Sequence, residues 1–277
     1  MLAQTRYLAH KGRLKGGASL RGLAGRIAIV TGAGSGIGAA IARRLAQEGV
    51  RVALADIDLE SAKEVAQAIK SAKRGATLCV AVDIADAKSV DAMVVSVTRT
   101  WGPPNILVNN AGVNVFHEPL SSTDEDWRRC MAVDLEGAWR CARAVLPEMI
   151  EARSGAIVNI ASNHSFQVMK GTFPYPVAKH ALIGMTRALA LEYADCGIVI
   201  NAVSPGFIDT PSSRRHFAAQ PDPAGARRIA ESKQPVLRLG TPEDIAGIVA
   251  FLASDDAKFM IGANVVADGG VTIRMYE

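Results

Sequence analysis

The stretch Ile27-Ala28-Ile29-Val30-Thr31-Gly32-Ala33-Gly34-Ser35-Gly36-Ile37-Gly38 constrains the chain more than any other. A short apolar run, a turn of small residues and a helical pattern through Ile41, Ala42, Leu45 and Ala46 describe a strand, a phosphate cradle and a helix start. Where Cβ atoms are absent, backbone N–H groups come close to a pyrophosphate resting on the positive N-terminus of the helix. By itself such a turn fits an ordinary tight bend equally well. The context separates the two readings. A second apolar strand through Val50, Val52, Ala53, Leu54 and Ala55 ends in Asp56. That is where a dinucleotide-binding βαβ unit places the carboxylate that accepts hydrogen bonds from the adenosine ribose.

The chain has 277 residues, 49% hydrophobic and 21% charged, enough for one large α/β domain with a sizeable core. No apolar run approaches the ~20 uncharged residues of a membrane span. The net charge of +4 is uneven: residues 1–26 hold six basic groups and no acid, and the rest carries 25 basic against 27 acidic groups. A near-neutral body leaves no electrostatic footprint for nucleic acid. Residues 1–21 read as a basic, mobile extension with a faint likeness to an organellar transit peptide. Cys79, Cys130, Cys141 and Cys196 are widely spaced and show no metal or redox spacing, so they are expected as buried thiols in a reducing compartment, the cytoplasm. No metal site is expected.

Beyond Asp56, strand and helix patterns alternate with short loops, which implies a parallel sheet with helices on both faces. A helix from Leu59 to about Ala72 precedes a strand from Ala76 to Val82 that ends in Asp83-Ile84; Asp86 caps the next helix, and the strand Ile106–Val108 opens into Asn109-Asn110-Ala111-Gly112. A long helix from about Asp124 to Glu151 sets Trp127, Cys130, Met131, Asp134, Leu135 and Ala138 on one stripe. Asp134 is anomalous there, because a carboxylate on a buried face is costly unless it is hydrogen-bonded. From spacing alone it is either a satisfied structural acid or part of a site.

The strand Ala156–Ile160 delivers Ser162, Asn163 and His164 at its carboxyl end, where open α/β sheets bind ligands. Tyr175 and Lys179 follow at the start of a helix, one turn apart on one face. A tyrosine has a pKa of about 10, so service as a base near pH 7 needs a shift of ~3 units, roughly 4 kcal/mol. A neighbouring ammonium in a low-dielectric cleft supplies a term of that order. Seen alone, a Tyr-x-x-x-Lys pair also fits a solvated helix face. The strand Ile198–Val203 then opens into Ser204-Pro205-Gly206, and residues 207–235 read as a lid with one short helix, Ala224–Ser232. Thr241-Pro242-Glu243-Asp244 starts another helix, and a last strand, Asn264–Val266, leads to Asp268-Gly269-Gly270.

Taken in order, Thr31-Gly-x-x-x-Gly36-x-Gly38, Asn109-Asn110-Ala111-Gly112, Ser162, Tyr175-x-x-x-Lys179, Asn201-x-x-Ser204-Pro205-Gly206 and Asp268-Gly269-Gly270 resemble the classical short-chain dehydrogenase/reductase family, across residues 22 to 271. The resemblance implies a single-domain Rossmann-type fold, a doubly wound parallel sheet, over residues 22–277. It implies that Tyr175 is the general acid/base, that Lys179 lowers its pKa and holds the nicotinamide ribose, and that Ser162 orients the substrate oxygen. Gly32, Ser35, Gly36, Ile37 and Gly38 then cradle the pyrophosphate, and Asp56 selects NAD(H). Asp83 and Ile84 flank the adenine, and Asn110, Ala111 and Gly112 line the cofactor path. Pro205, Gly206, Ile208 and Thr210 hold the nicotinamide end. Where the family usually has Asn to hold a relay water, this sequence has Asp134; the charge there can raise the pKa of Lys179 or Tyr175 and leaves the fourth catalytic position open.

An NAD-linked oxidoreductase of secondary alcohols and ketones is the implied activity. The alternatives are an NADP-linked 3-oxoacyl-carrier reductase, against which Asp56 argues, and an inactive NAD-binding protein, against which the intact Ser162, Tyr175 and Lys179 argue. A polar loop at Ser162–Gln167 with His164, and a lid bearing Arg214, favour a small polar substrate such as a sugar or hydroxy acid. The family is usually tetrameric, so a homotetramer or homodimer is expected, with the helices around Trp127–Met149 and from Tyr175 covered by neighbouring subunits.

Overall fold

The computed structural model describes residues 20–72 and 74–275; the expected basic extension lies outside them, except for Leu20 and Arg21. The first half alternates β1 (Ile27–Thr31), α1 (Gly36–Gln47), β2 (Arg51–Asp56), α2 (Leu59–Ser71), β3 (Thr77–Ala81), α3 (Ala87–Trp101) and β4 (Ile106–Asn109). A two-residue strand β5 (Phe116–His117) then leads to α4 (Asp124–Met131) and α5 (Ala138–Glu151). Next come β6 (Gly155–Ile160), β7 (Phe173–Pro174), α6 (Tyr175–Tyr193) and β8 (Ile198–Pro205). The chain closes with α7 (Pro211–Ala218), α8 (Pro223–Ser232), α9 (Pro242–Leu252) and β9 (Asn264–Ala267).

Seven strands form one parallel sheet in the order β3-β2-β1-β4-β6-β8-β9. Strand side chains alternate between its two faces. Ala28, Val30, Val52 and Leu54 pack with α1, α2 and α9, whereas Ile27, Ile29, Ala53 and Ala55 pack with α3, α5 and α6. Both faces are therefore apolar and covered, as the near-continuous hydrophobic strands require. The strand order reverses between β1 and β4, which opens a crevice at their carboxyl ends.

Helix starts follow the side chains that cap them. Asp58 accepts from the amides of Glu60 and Ser61 ahead of α2, Asp86 accepts from Lys88 ahead of α3, and Thr241 and Asp244 form a reciprocal capping box at α9. Three expectations are corrected. The helix expected over Asp124–Glu151 is interrupted by a π-helical segment, Ala132–Gly137, which widens the turn carrying Asp134. Trp127 leaves the expected buried stripe, stays 41% exposed and stacks on Phe173 at 5.8 Å. The lid holds two helices rather than one, because Thr210 caps Pro211–Ala218 as a reciprocal box with Ser213. The two lid helices share a small core of Phe217, Ala230 and Leu239.

Gly38 fixes how closely α1 crosses β1. A Cβ there would lie 2.1 Å from the carbonyl oxygen of Gly32, a backbone atom that cannot step aside. Gly38→Ala is expected to cost about 1–3 kcal/mol through overpacking, read as a lower urea midpoint; an unchanged midpoint contradicts this close approach.

Candidate active site

A cleft of about 370 Å³ opens at the carboxyl ends of the central strands. It is lined by Gly32, Ser35, Gly36 and Ile37 after β1, by Asp56 at the end of β2, and by Asp83 and Ile84 after β3. Asn110, Ala111 and Gly112 after β4 and Thr210 after β8 complete the residues anticipated from the sequence. The wall fits a dinucleotide on two counts. Ser35, at the N-cap of α1, makes no side-chain cap bond, and the first turn carries no acid, so the amides that open this helix keep their affinity for an anion. Asp56 accepts from the Gly34 amide at 2.7 Å through one oxygen and from the Asp58 amide at 2.9 Å through the other. A carboxylate has about four acceptor positions, so capacity for a ribose diol remains.

The chemical groups sit beside this cleft. Ser162 follows β6 and is buried; its hydroxyl accepts from the His164 amide at 3.1 Å. Tyr175 is the first residue of α6 and Lys179 lies one turn on, 4% exposed, with Nζ 5.4 Å from the Tyr175 ring centroid. Lys179 donates to the Ile160 carbonyl at 3.3 Å and pairs with Asp134 Oδ1 at 3.1 Å. Phe116 and His164 stand edge-on to the Tyr175 ring at 5.3 and 5.8 Å. The solvated-face reading of the Tyr-Lys pair is thereby excluded.

The electrostatics depart from expectation. Burial pushes the Tyr175 phenol above its ordinary range; Lys179 and the Ser162 hydroxyl pull it down, and Asp134 pushes it up. The expected depression by Lys179 is outweighed, first by burial of the phenol and then by the Asp134 charge beside the ammonium. Burial disfavours the Lys179 cation, yet Asp134 and Tyr175 together raise it above the ordinary lysine value. Burial also raises the Asp134 carboxyl, against the pull of Lys179. His164 is lowered by burial and by His180, so its ring is neutral near pH 7.

Other anticipated residues lie elsewhere. Gly38 packs under the turn, Ile208 joins the sheet core at 6% exposure, and Gly206, beside Pro205 at the end of β8, abuts the backbone of Asp268; none of these four lines the cleft. Arg214 is held by Asp209 at 2.8 Å, and Arg227 by Asp209 and Glu231 at 3.0 and 2.9 Å, so these lid cations are matched within the lid. Sequence reasoning missed Val113, Val133 and Ser212 in the cleft wall and Phe116 beside Tyr175. An apolar pair, Val115-Phe116, two residues beyond the Asn-Ala-Gly turn was the available signal for the last. Among the described residues no three His, Cys, Asp or Glu side chains gather as a metal site, and no helix is long and apolar enough to cross a membrane.

A family model described as enoyl-(acyl carrier protein) reductase matches residues 32–272. The cis-4-hydroxycyclohexanecarboxylate dehydrogenase of Sinomonas cyclohexanicum is 41% identical over 89% of this chain and 96% of its own. The chain belongs to the short-chain dehydrogenase/reductase family. Among solved structures, levodione reductase superposes with a TM-score of 0.87 at 33% identity, covering 91% of this chain and 99% of the other. A structure from Agrobacterium tumefaciens with bound NADP gives 0.82 at 34% identity, covering 91% and 98%. As a short-chain dehydrogenase/reductase, the protein is an oxidoreductase on the doubly wound fold described above.

Proposed function

We propose that the protein is an NAD(H)-dependent dehydrogenase of small secondary alcohols, and reductase of the matching ketones, acting in the cytoplasm. The observation that carries this is the convergence of Ser162, Tyr175 and Lys179 beside a cleft built to receive a dinucleotide. A nicotinamide dinucleotide, when bound, takes up or supplies the hydride. Ser162 holds the substrate oxygen through its hydroxyl. The Tyr175 oxygen, as phenolate, takes the proton from the alcohol oxygen in oxidation and, as phenol, returns it to the carbonyl oxygen in reduction. Lys179 stabilises the charge on Tyr175 and holds the nicotinamide ribose.

The walls near Tyr175 favour a compact substrate. Phe116 and His164 frame the phenol with ring faces and edges, while Arg214 and Arg227 already have acid partners. Support for a sugar acid held by the lid is weaker for that reason. A cyclic secondary alcohol bearing one polar group, of the kind named for the Sinomonas relative, suits aromatic walls with one imidazole. An inactive NAD-binding protein would have no use for three intact proton-handling residues.

Asp56 supports NAD over NADP and over the 3-oxoacyl-carrier reductase reading. A 2′-phosphate about 4 Å from the carboxylate, at an effective dielectric of about 20, meets ~4 kcal/mol of repulsion, up to ~1000-fold in specificity. Neighbouring Ser35 and Ile57 offer no compensating cation. For assembly, the exposed Trp127, Trp139, Val177 and Leu191 on α4 to α6 support a homotetramer, with a homodimer as its half.

Three measurements test these readings. Tyr175→Phe removes the proton-exchanging oxygen and little volume, so kcat on a good alcohol should fall below a few per cent of wild type with NAD affinity nearly unchanged; retained turnover refutes the mechanism. The kcat/KM ratio should favour NAD over NADP by at least about a hundredfold, and equal values refute the role given to Asp56. Light scattering at micromolar concentration should return four times the chain mass, or twice it, and a monomer contradicts the assembly.

A further inference from the structure

Asp134 is a charged side chain that the proton exchange above does not use, yet it touches the residue that exchange depends on. Its side chain is 0% exposed and that of Lys179 5%, with 3.1 Å between Oδ1 and Nζ. The contact is direct. Two further groups hold the carboxylate: the Val113 amide donates to its oxygens at 3.2 and 3.3 Å, and the Cys130 thiol approaches at 3.8 Å. A Cβ on Gly112 would lie 2.6 Å from Asp134 Oδ1 and 3.6 Å from Lys179 Nζ. The bare backbone of the cleft wall therefore lies directly against the ion pair.

We propose that Asp134 is a positioning residue that offsets part of the Lys179 charge and so holds Tyr175 protonated to higher pH, favouring proton donation at neutral pH and proton acceptance in alkaline solution. The inference rests on the reading of Tyr175 as the proton-exchanging group. An isolated ammonium 5.4 Å from the ring centroid favours a phenolate. A carboxylate 3.1 Å from the same ammonium turns that charge into a dipole, whose field falls more steeply with distance. The remaining groups around the phenol do not replace the lost charge. Ser162 offers a neutral hydroxyl, Cys130 a buried thiol pushed up to about 12, and His164 a neutral imidazole; Phe116 carries no charge at all. Burial is the first cause of the raised phenol and Asp134 adds to it, while Asp134 leads the causes that raise the ammonium.

Sign follows from charge. With Asp134 ionised, forming a Tyr175 phenolate adds a second anion beside one cation. With an amide at that position, phenolate and ammonium become each other's nearest charged partners, which favours ionisation.

Asp134→Asn is the test, since it keeps shape and removes charge. In alcohol oxidation, the rising limb of the kcat/KM profile should move at least about one pH unit lower in Asp134→Asn than in wild type. A second readout needs no cofactor: phenolate absorbance of Tyr175, isolated by subtracting the Tyr175→Phe counterpart of each protein, should titrate at lower pH in Asp134→Asn by a similar amount. A purely structural role would lower stability and leave both inflections in place, and that outcome overturns the proposal. Should Asp134→Asn not fold, both readouts are taken on Asp134→Ser, where inflections shifted to lower pH support the proposal and unmoved inflections overturn it. Turnover surviving in Tyr175→Phe would instead remove the catalytic reading beneath it, which separates the two failures.

Discussion

The site depends on a clamp at the point where the strand order reverses. The Thr31 hydroxyl, at the end of β1, donates to the Val108 carbonyl and accepts from the amides of Asn110 and Ala111 at 3.0 and 3.1 Å. In return the Asn110 side chain donates to the carbonyls of Thr31 and Gly32 at 2.9 and 3.1 Å. Two strand ends that would otherwise diverge into separate loops are tied by side chains acting as backbone. With β1 and β4 tied, Gly32 and Gly112 face one cleft. The tie also satisfies polar groups that the parallel ladder leaves unpaired at its edge.

A second buried polar chain orients α6. Asn109 donates to Asn159 at 2.9 Å, Asn159 donates to Thr186 at 2.9 Å, and Thr186 donates back to the Leu182 carbonyl at 2.7 Å. These residues come from β4, β6 and α6, all 5% exposed or less. Buried amides are costly unless paired, so this chain of bonds favours one rotation of the helix, although the Asn109 side-chain oxygen itself has no partner. Thr186 lies two turns beyond Lys179 on the same helix. Fixing one fixes the other, and with it the direction of Tyr175 toward Ser162.

Much of this was legible in the sequence because it is local. Asp86 and Thr241 announce helix starts through bonds spanning two or three residues, and strand polarity follows from alternation with helices. Asp56 was legible because its distance from the glycine turn is set by one βαβ unit. What was missed depends on partners distant in sequence. The two-residue strands Phe116–His117 and Phe173–Pro174 carry no period to read, since each pairs only with the other across the fold. Trp127 obeys a helical period on paper, but in α4 it lies at the rim of the buried face, against Phe173 of the distant strand β7. The second lid helix was hidden by its polarity: α7 buries only Ser213 and Phe217. Arg214 looked available because its pairing with Asp209, five residues earlier across the Thr210 cap, follows no helical spacing. Asp134 was visible as an anomaly, but its partner stands 45 residues later.

That pair explains why a fold-level likeness does not fix how the site titrates. A buried ion pair is poor evidence of stability, because withdrawing two charges from water offsets most of their attraction. An amide in place of Asp134 would avoid one of those withdrawals and could still bond to the Val113 amide through its oxygen. The carboxylate is therefore not needed to close the core. Its cost is tolerated because every neighbour compensates it: an ammonium on one oxygen, an amide across both, and a thiol whose own ionisation is suppressed by burial. The widened π turn matters here, since the carboxylate is carried where the helix departs from its regular pitch, facing both the loop after β4 and the buried side of α6. One position thus joins the helix, the cleft wall and the proton-handling residues. Its charge acts on Tyr175 both directly and by offsetting Lys179, adding to what burial of the phenol already does.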